Sequence, residues 1–127
     1  MNTSQRNYSA LAVLRKRSEF LAVNACNTKC VRPTVIVLCL SRPQDSLVSP
    51  DKIRVGFTAT RKLGNAVIRN RAKRRLREAA RQLLPQLGMA GADYVFIGRH
   101  SIITAAFDDL ILDVKHALKR LHSRATL

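Results

Sequence analysis

Acidic residues are scarce in this 127-residue chain: 8 Asp and Glu stand against 23 Lys and Arg, for a formal charge of +15. The few acids are dispersed, no Ser/His/Asp or Cys/His set is suggested, and no glycine-rich nucleotide loop is present. Catalysis by the protein's own side chains is therefore not expected, and no catalytic residue is assigned. Long apolar runs are missing too. The longest, Val35 to Leu40, is far short of the roughly 20 residues that cross a bilayer. The short stretch Leu11 to Leu14 is followed, not preceded, by Arg15, Lys16 and Arg17, which is not a secretory pattern. A cytoplasmic protein with no membrane partner is expected. The three cysteines, Cys26, Cys30 and Cys39, cannot all pair within one chain, so reduced thiols are expected. Cys26 and Cys30 have no second pair of ligands at a useful spacing, and His100, His116 and His122 are scattered, so no metal site is assigned to the protein.

What is present is enough apolar material for a core, 46% of the chain, and a length that suits one domain. The spacing predicts a short helix from about Glu19 to Ala25 capped by Ser18, with Phe20 among its apolar contacts. A buried strand follows over Thr34 to Leu40. From Ile53 the pattern alternates. Ile53, Val55, Phe57 and Ala59 fall on one side and Arg54, Gly56, Thr58 and Thr60 on the other, as a strand with one polar, partly open face requires. A helix from near Asn65 to near Leu84 is stopped by Pro85 and Gly88, then a strand runs from Asp93 to Ile97. The last helix, capped by Thr104, places Phe107, Leu110, Ile111, Val114, Leu118 and Leu121 on one face. Asp108 and Asp109 near its start and Lys119 and Arg120 near its end complement its dipole. These elements imply an α+β sandwich, with helices on a small sheet. Residues 1–13 read as a flexible N-terminal tail, 14–122 as a single folded domain and 123–127 as a C-terminal tail.

The charge is local. Residues 52–81 hold 11 of the 23 basic residues and one acid, Glu78. In the helix read from Asn65 onward, Ile68, Ala72, Leu76, Ala79 and Leu83 gather on one arc. Arg69, Asn70, Arg71, Lys73, Arg74, Arg77 and Arg81 fill the other side. So many cations on one helix repel one another unless an anion joins them, and arginine suits the bidentate geometry of phosphate. A concentrated patch of this kind predicts docking on nucleic acid. Gly64 and Asn65 lead into it, with backbone freedom at the turn and a side chain suited to the helix cap.

The run Lys62-x-Gly64-Asn65-Ala66-Val67-x-Arg69-Asn70-Arg71-x-Lys73-Arg74-x-x-Arg77-Glu78 closely resembles the signature of the protein subunit of bacterial ribonuclease P. Outside it the resemblance is looser and extends over roughly residues 14–122. It implies the element order α-β-β-β-α-β-α, a sheet of about four strands, and a left-handed βαβ crossover containing the basic helix. The resemblance also implies that a large RNA with bound Mg²⁺ is the catalyst, removing the 5′ leader of precursor tRNA while the protein assists. By position, Arg61, Lys62, Asn65, Arg69, Asn70, Arg71, Lys73, Arg74 and Arg77 would contact the catalytic RNA. Phe20, with Arg54, Thr58 and Thr60, would contact the leader. Partners would be ribonuclease P RNA and precursor tRNA, one protein per RNA, with Mg²⁺ held mainly by the RNA. Three positions depart from the family's pattern: Asn24 stands where a second aromatic is frequent, and Arg75 and Ala80 where apolar and aromatic residues are.

The alternative is a ribosomal or other structural RNA-binding protein, which would share the small fold and the charge. Copurification of a ribosomal subunit RNA would favour it. A DNA-binding module is the weaker third reading, since the basic helix has neither a helix-turn-helix context nor a dimerisation heptad.

Overall fold

In the computed structural model, which describes residues 11–26 and 28–125, the chain forms five strands and three helices. They are β1 (Leu11–Val13), α1 (Arg17–Asn24), β2 (Lys29–Val31), β3 (Val35–Ser41), β4 (Ile53–Thr58), α2 (Ala66–Leu87), β5 (Ala92–Gly98) and α3 (Phe107–Ala125). Short 3-10 turns occupy Arg61–Leu63 and His100–Ile103. The strands form one sheet in the order β1-β4-β5-β3-β2. β4 is parallel to both β1 and β5, whereas β3 is antiparallel to β5 and β2.

The α+β class is as expected, but the sheet has five strands rather than about four. The extra strand, β1, falls inside the stretch read as a tail. Three residues are too few to show a period, and this strand exists only because Leu11 and Val13 find Ile53 and Val55 opposite them on a distant segment. At the other end α3 continues to Ala125, past the boundary drawn at residue 122. Residues 1–10 of the expected tail lie outside the described residues.

Alternation along the strands builds two cores. Val35, Val37 and Cys39 of β3, Ile53 and Val55 of β4, and Tyr94 and Phe96 of β5 face α2 and α3. Leu38 and Val95 face the other way, where Leu14 and Val23 of the α1 segment cover them. The helix pair thus shields one face completely, while the single short α1 covers only part of the other.

Helix ends differ from the sequence reading for identifiable reasons. α1 starts at Arg17, because the Glu19 carboxylate accepts from the backbone N–H groups of Arg15 (3.0 Å) and Lys16 (2.9 Å), leaving Ser18 inside the helix. α2 passes through Pro85, which is buried, and stops at Gly88, whose N–H bonds the Leu84 carbonyl at 2.8 Å. A proline this near the C-terminus forfeits one ladder bond without ending the helix. α3 begins at Phe107 rather than after Thr104, since Thr104 N–H bonds back to Ser101 and closes the preceding 3-10 turn.

The end of α3 is fastened by a polar contact inside the main core. Met89 N–H donates to the Tyr94 hydroxyl at 2.9 Å, and that hydroxyl lies 2.8 Å from Nε2 of His122. The hydroxyl and the imidazole nitrogen share one proton in this contact, its direction set by the His122 tautomer. Burial holds the His122 pKa below the usual imidazole value. The unfolded chain therefore takes up the proton first, and stability is complete above about pH 6.5 and falls as the pH drops below it. Denaturant midpoints at pH 7.5 and pH 5 are expected to differ less in His122→Gln than in the parent; an unchanged difference would assign the slope to other groups.

Candidate nucleic-acid interface

The approach to α2 needs a residue without a side chain. Gly64 has φ +146°, and a Cβ there would sit 2.9 Å from Cδ1 of Ile68. That backbone region is essentially closed to other residues. Asn65 follows as the N-cap, its side-chain oxygen accepting from Ile68 N–H at 3.0 Å. Asn65, carried over as an RNA contact, thus already has one of its side-chain atoms engaged in starting the helix.

Ala72, Leu76, Ala79, Ala80 and Leu84 bury the inner face of α2. The cations do not all share one surface. Asn70, Lys73, Arg74 and Arg77, with Val67, line a cleft of about 460 Å³ along one flank. Arg77 lies 5.5 Å above the Phe57 ring, which meets Phe96 edge-on, so a ring of β4 gives this guanidinium a cation–π contact. Arg71 sits on the opposite flank, beside the second 3-10 turn with Ile68, Ala72, Ile102 and Ile103. Arg69 is half-buried and its Nε has no partner. Arg61 and Lys62 are exposed in the turn before Gly64.

Arg75 is different in kind. It donates to the carbonyls of Ile102 and Ala105 (2.5 Å for the latter), tying α2 to the segment that leads into α3.

On the other sheet face, Phe20 of α1 lies directly on Gly56, where an added Cβ would meet its ring at 2.4 Å. The glycine is what lets the aromatic ring settle against the strand. Beside it, Arg54 donates to Asp93 through Nε (2.8 Å) and Nη2 (2.7 Å) and to Glu19 through Nη1 (2.8 Å). Arg42 closes the set with a 2.7 Å bond to Asp93. Hydrogen bonds from the Lys16 and Arg15 backbone, then the nearby Arg54 charge, hold the Glu19 carboxyl below its ordinary pKa. All three nitrogens of Arg54 are therefore engaged internally, fixing α1 and Phe20 over the sheet. Thr58 is half-buried on this face; Thr60 is exposed, and its carbonyl accepts from Leu63 in the following turn.

Cross-strand register shows what sequence alternation missed. Thr58 opposes Ile97, Ile97 opposes Ile36, and Ile36 opposes Val31, a row running over four strands. Beyond the part covered by α1, the open face is therefore largely aliphatic, with Val31 about half exposed at its edge. Among the described residues no group of three or more His, Cys, Asp or Glu could hold a metal ion, and no helix is long and apolar enough to cross a membrane.

The family model described as Ribonuclease P matches residues 9–122. The chain belongs to the ribonuclease P protein family. The ribonuclease P protein component of Ruegeria pomeroyi is 47% identical over 116 residues, 91% of this chain and 90% of that one. That of Paramagnetospirillum magneticum is 44% identical over 108 residues, 85% and 80% of the two chains. Among solved structures, the ribonuclease P protein from Thermotoga maritima superposes with a TM-score of 0.70 at 27% identity, covering 84% of this chain and 94% of that one. The Staphylococcus aureus protein, with a TM-score of 0.68 at 22% identity, shares the fold. The chain is accordingly the accessory, RNA-binding subunit of the ribonucleoprotein that processes tRNA 5′ ends, and these relatives favour that reading over a ribosomal protein. The family's α-β-β-β-α-β-α order is present, with β1 added in front.

Proposed function

We propose that α2 docks on the catalytic RNA while the α1 face receives the 5′ leader of precursor tRNA, one protein per RNA, in the cytoplasm. The observation that carries this division is the separation of two unlike surfaces. α2 offers guanidinium groups in a cleft, suited to phosphate. The face beyond α1 offers one ring, Phe20, beside an aliphatic floor, suited to unstacked bases. Arg69, Asn70, Arg71, Lys73, Arg74 and Arg77 with Arg61 and Lys62 neutralise backbone phosphates, and Asn65 sets the start of the helix that carries them. Phe20 and Thr58 touch the leader, Thr60 flanks the path towards α2, and Arg54 acts by holding α1 in place. Mg²⁺ stays mainly with the RNA, and the protein lowers the bulk concentration needed by reducing repulsion where two RNAs meet.

Leader recognition is tested by comparing holoenzyme affinity for precursor and mature tRNA. Phe20→Leu keeps most of the packing on Gly56 but removes the stacking surface, and a lost base stack costs about 1–3 kcal/mol. The variant is expected to bind precursor roughly tenfold more weakly and mature tRNA equally well. Equal affinity of parent and variant for precursor would return Phe20 to a purely packing role.

A further inference from the structure

A second basic groove lies away from α2, at the far edge of the sheet. It has a volume of about 490 Å³ and is lined by Cys30 and Arg32 from the β2 segment and by His116, Lys119, Arg120 and Ser123 from α3. The four α3 residues recur at i, i+3, i+4 and i+7, so they form one stripe along the helix. The groove is built rather than incidental. Asp113, buried on the same helix, accepts from the Thr34 N–H (3.0 Å) and hydroxyl (2.6 Å) and from Arg32 Nε (3.4 Å), clamping the β2–β3 turn against α3. The Arg32 side chain remains 38% exposed despite this pairing. Arg99 donates to the Arg32 carbonyl at 2.9 Å, which further ties down that turn.

The charges that face the groove are Arg32, Lys119 and Arg120, with His116 between them. Asp113 pairs with Arg32 besides bonding Thr34, and Asp109 stands two turns back along the same stripe, roughly 10 Å away at 1.5 Å per residue. The groove therefore keeps a positive excess. From β4, beneath the α2 cleft, to β2 is three strand spacings, roughly 14 Å. That span is within reach of a single folded RNA.

We propose that this groove is a second phosphate-binding surface, gripping a backbone segment of the catalytic RNA separate from the segment on α2. The inference rests on the reading that this chain docks on that RNA. Two simpler explanations exist for the same cations: Lys119 and Arg120 offset the C-terminal dipole of α3, or the charges guard the β2 edge against strand pairing. Both confine the effect of these residues to the protein itself.

The test uses the full-length protein and the catalytic RNA, comparing the parent with Lys119→Gln/Arg120→Gln. Each phosphate contact contributes about 0.7–0.9 to the slope of log affinity against log salt. The double variant is expected to flatten that slope by about 1.5, with thermal midpoint unchanged, and to lose backbone protection at nucleotides that remain protected in an Arg71→Ala/Arg74→Ala variant. An unchanged slope and footprint would overturn the proposal, whether or not the midpoint falls. If the parent itself failed to bind the catalytic RNA, the underlying functional reading would be the one to fail.

Discussion

Replacing Arg71, Arg74 and Arg77 together with alanine is expected to weaken binding to the catalytic RNA by about a thousandfold at moderate salt while leaving the domain folded. All three side chains are exposed on α2, on both of its outer flanks. A charge-assisted hydrogen bond is worth about 1.5–3 kcal/mol, so each lost phosphate contact costs roughly tenfold or more. The slope of log affinity against log salt should flatten by about 2 to 3 units, because each neutralised phosphate contributes about 0.7–0.9. Folding should survive. Alanine is the best helix former, and removing three like charges relieves repulsion along α2. Against this stands only the contact of Arg77 with Phe57, about 0.5–1 kcal/mol. Isothermal titration or filter binding at several salt concentrations, with circular dichroism on the same samples, separates docking from folding. Undiminished affinity would make the basic face a solvated surface.

The largest effect on stability is expected from Asp93→Asn. Asp93 is 3% exposed on β5 and receives Arg42 and Arg54 from opposite sides. Arg42 is as buried as its partner and also donates to the carbonyls of Ser49, Lys52 and Ala92, so it cannot turn to solvent when the carboxylate is lost. Removing one partner of a buried pair leaves an uncompensated charge and costs about 3–5 kcal/mol. The Glu19 end of the same network is more exposed, and Glu19→Gln should cost only about 1 kcal/mol. Chemical denaturation of the two variants gives the comparison. Equal losses would mean that the network is no tighter at its centre than at its rim. Because Arg54 links Asp93 to α1, the Asp93 variant should also loosen Phe20 over Gly56.

This network also marks the boundary of what was legible beforehand. β3, α2 and α3 announce themselves because each is long enough to display a period, and helical spacing puts Ala72, Leu76 and Ala79 on the buried face of α2, although Ala80 and Leu84 rather than Ile68 and Leu83 complete it and Arg69 is half-buried. β1 and β2 have three residues each, and their existence depends on partners far along the chain. Alternation correctly placed Arg54, Gly56 and Thr58 on one face of β4, but gave no sign that Asp93 would engage the arginine. The aliphatic row of Val31, Ile36 and Ile97 beside Thr58 is a product of register between four strands, and register is not written in any one of them. Arg75 shows the reverse case. It has the same residue type as its basic neighbours, yet a rotation of one residue on the helix turns it from the outer surface towards the carbonyls at Ile102 and Ala105, contacts that no sequence pattern announces.

The excess of basic over acidic residues therefore resolves into distinct uses of arginine. Arg42, Arg54 and Arg75 hold the domain together from within. Arg71, Arg74 and Arg77 remain outside, exposed on the flanks of α2, with Arg77 over the Phe57 ring. As the accessory subunit, the protein would leave the chemistry to the RNA.

Reconstituted cleavage across a range of Mg²⁺ concentrations tests this most directly. The purified protein alone is expected to leave precursor tRNA intact, the cognate RNA alone to cleave only at high Mg²⁺, and the two together to restore cleavage at low Mg²⁺. Cleavage by the RNA that shows no dependence on the protein at any Mg²⁺ concentration would contradict it.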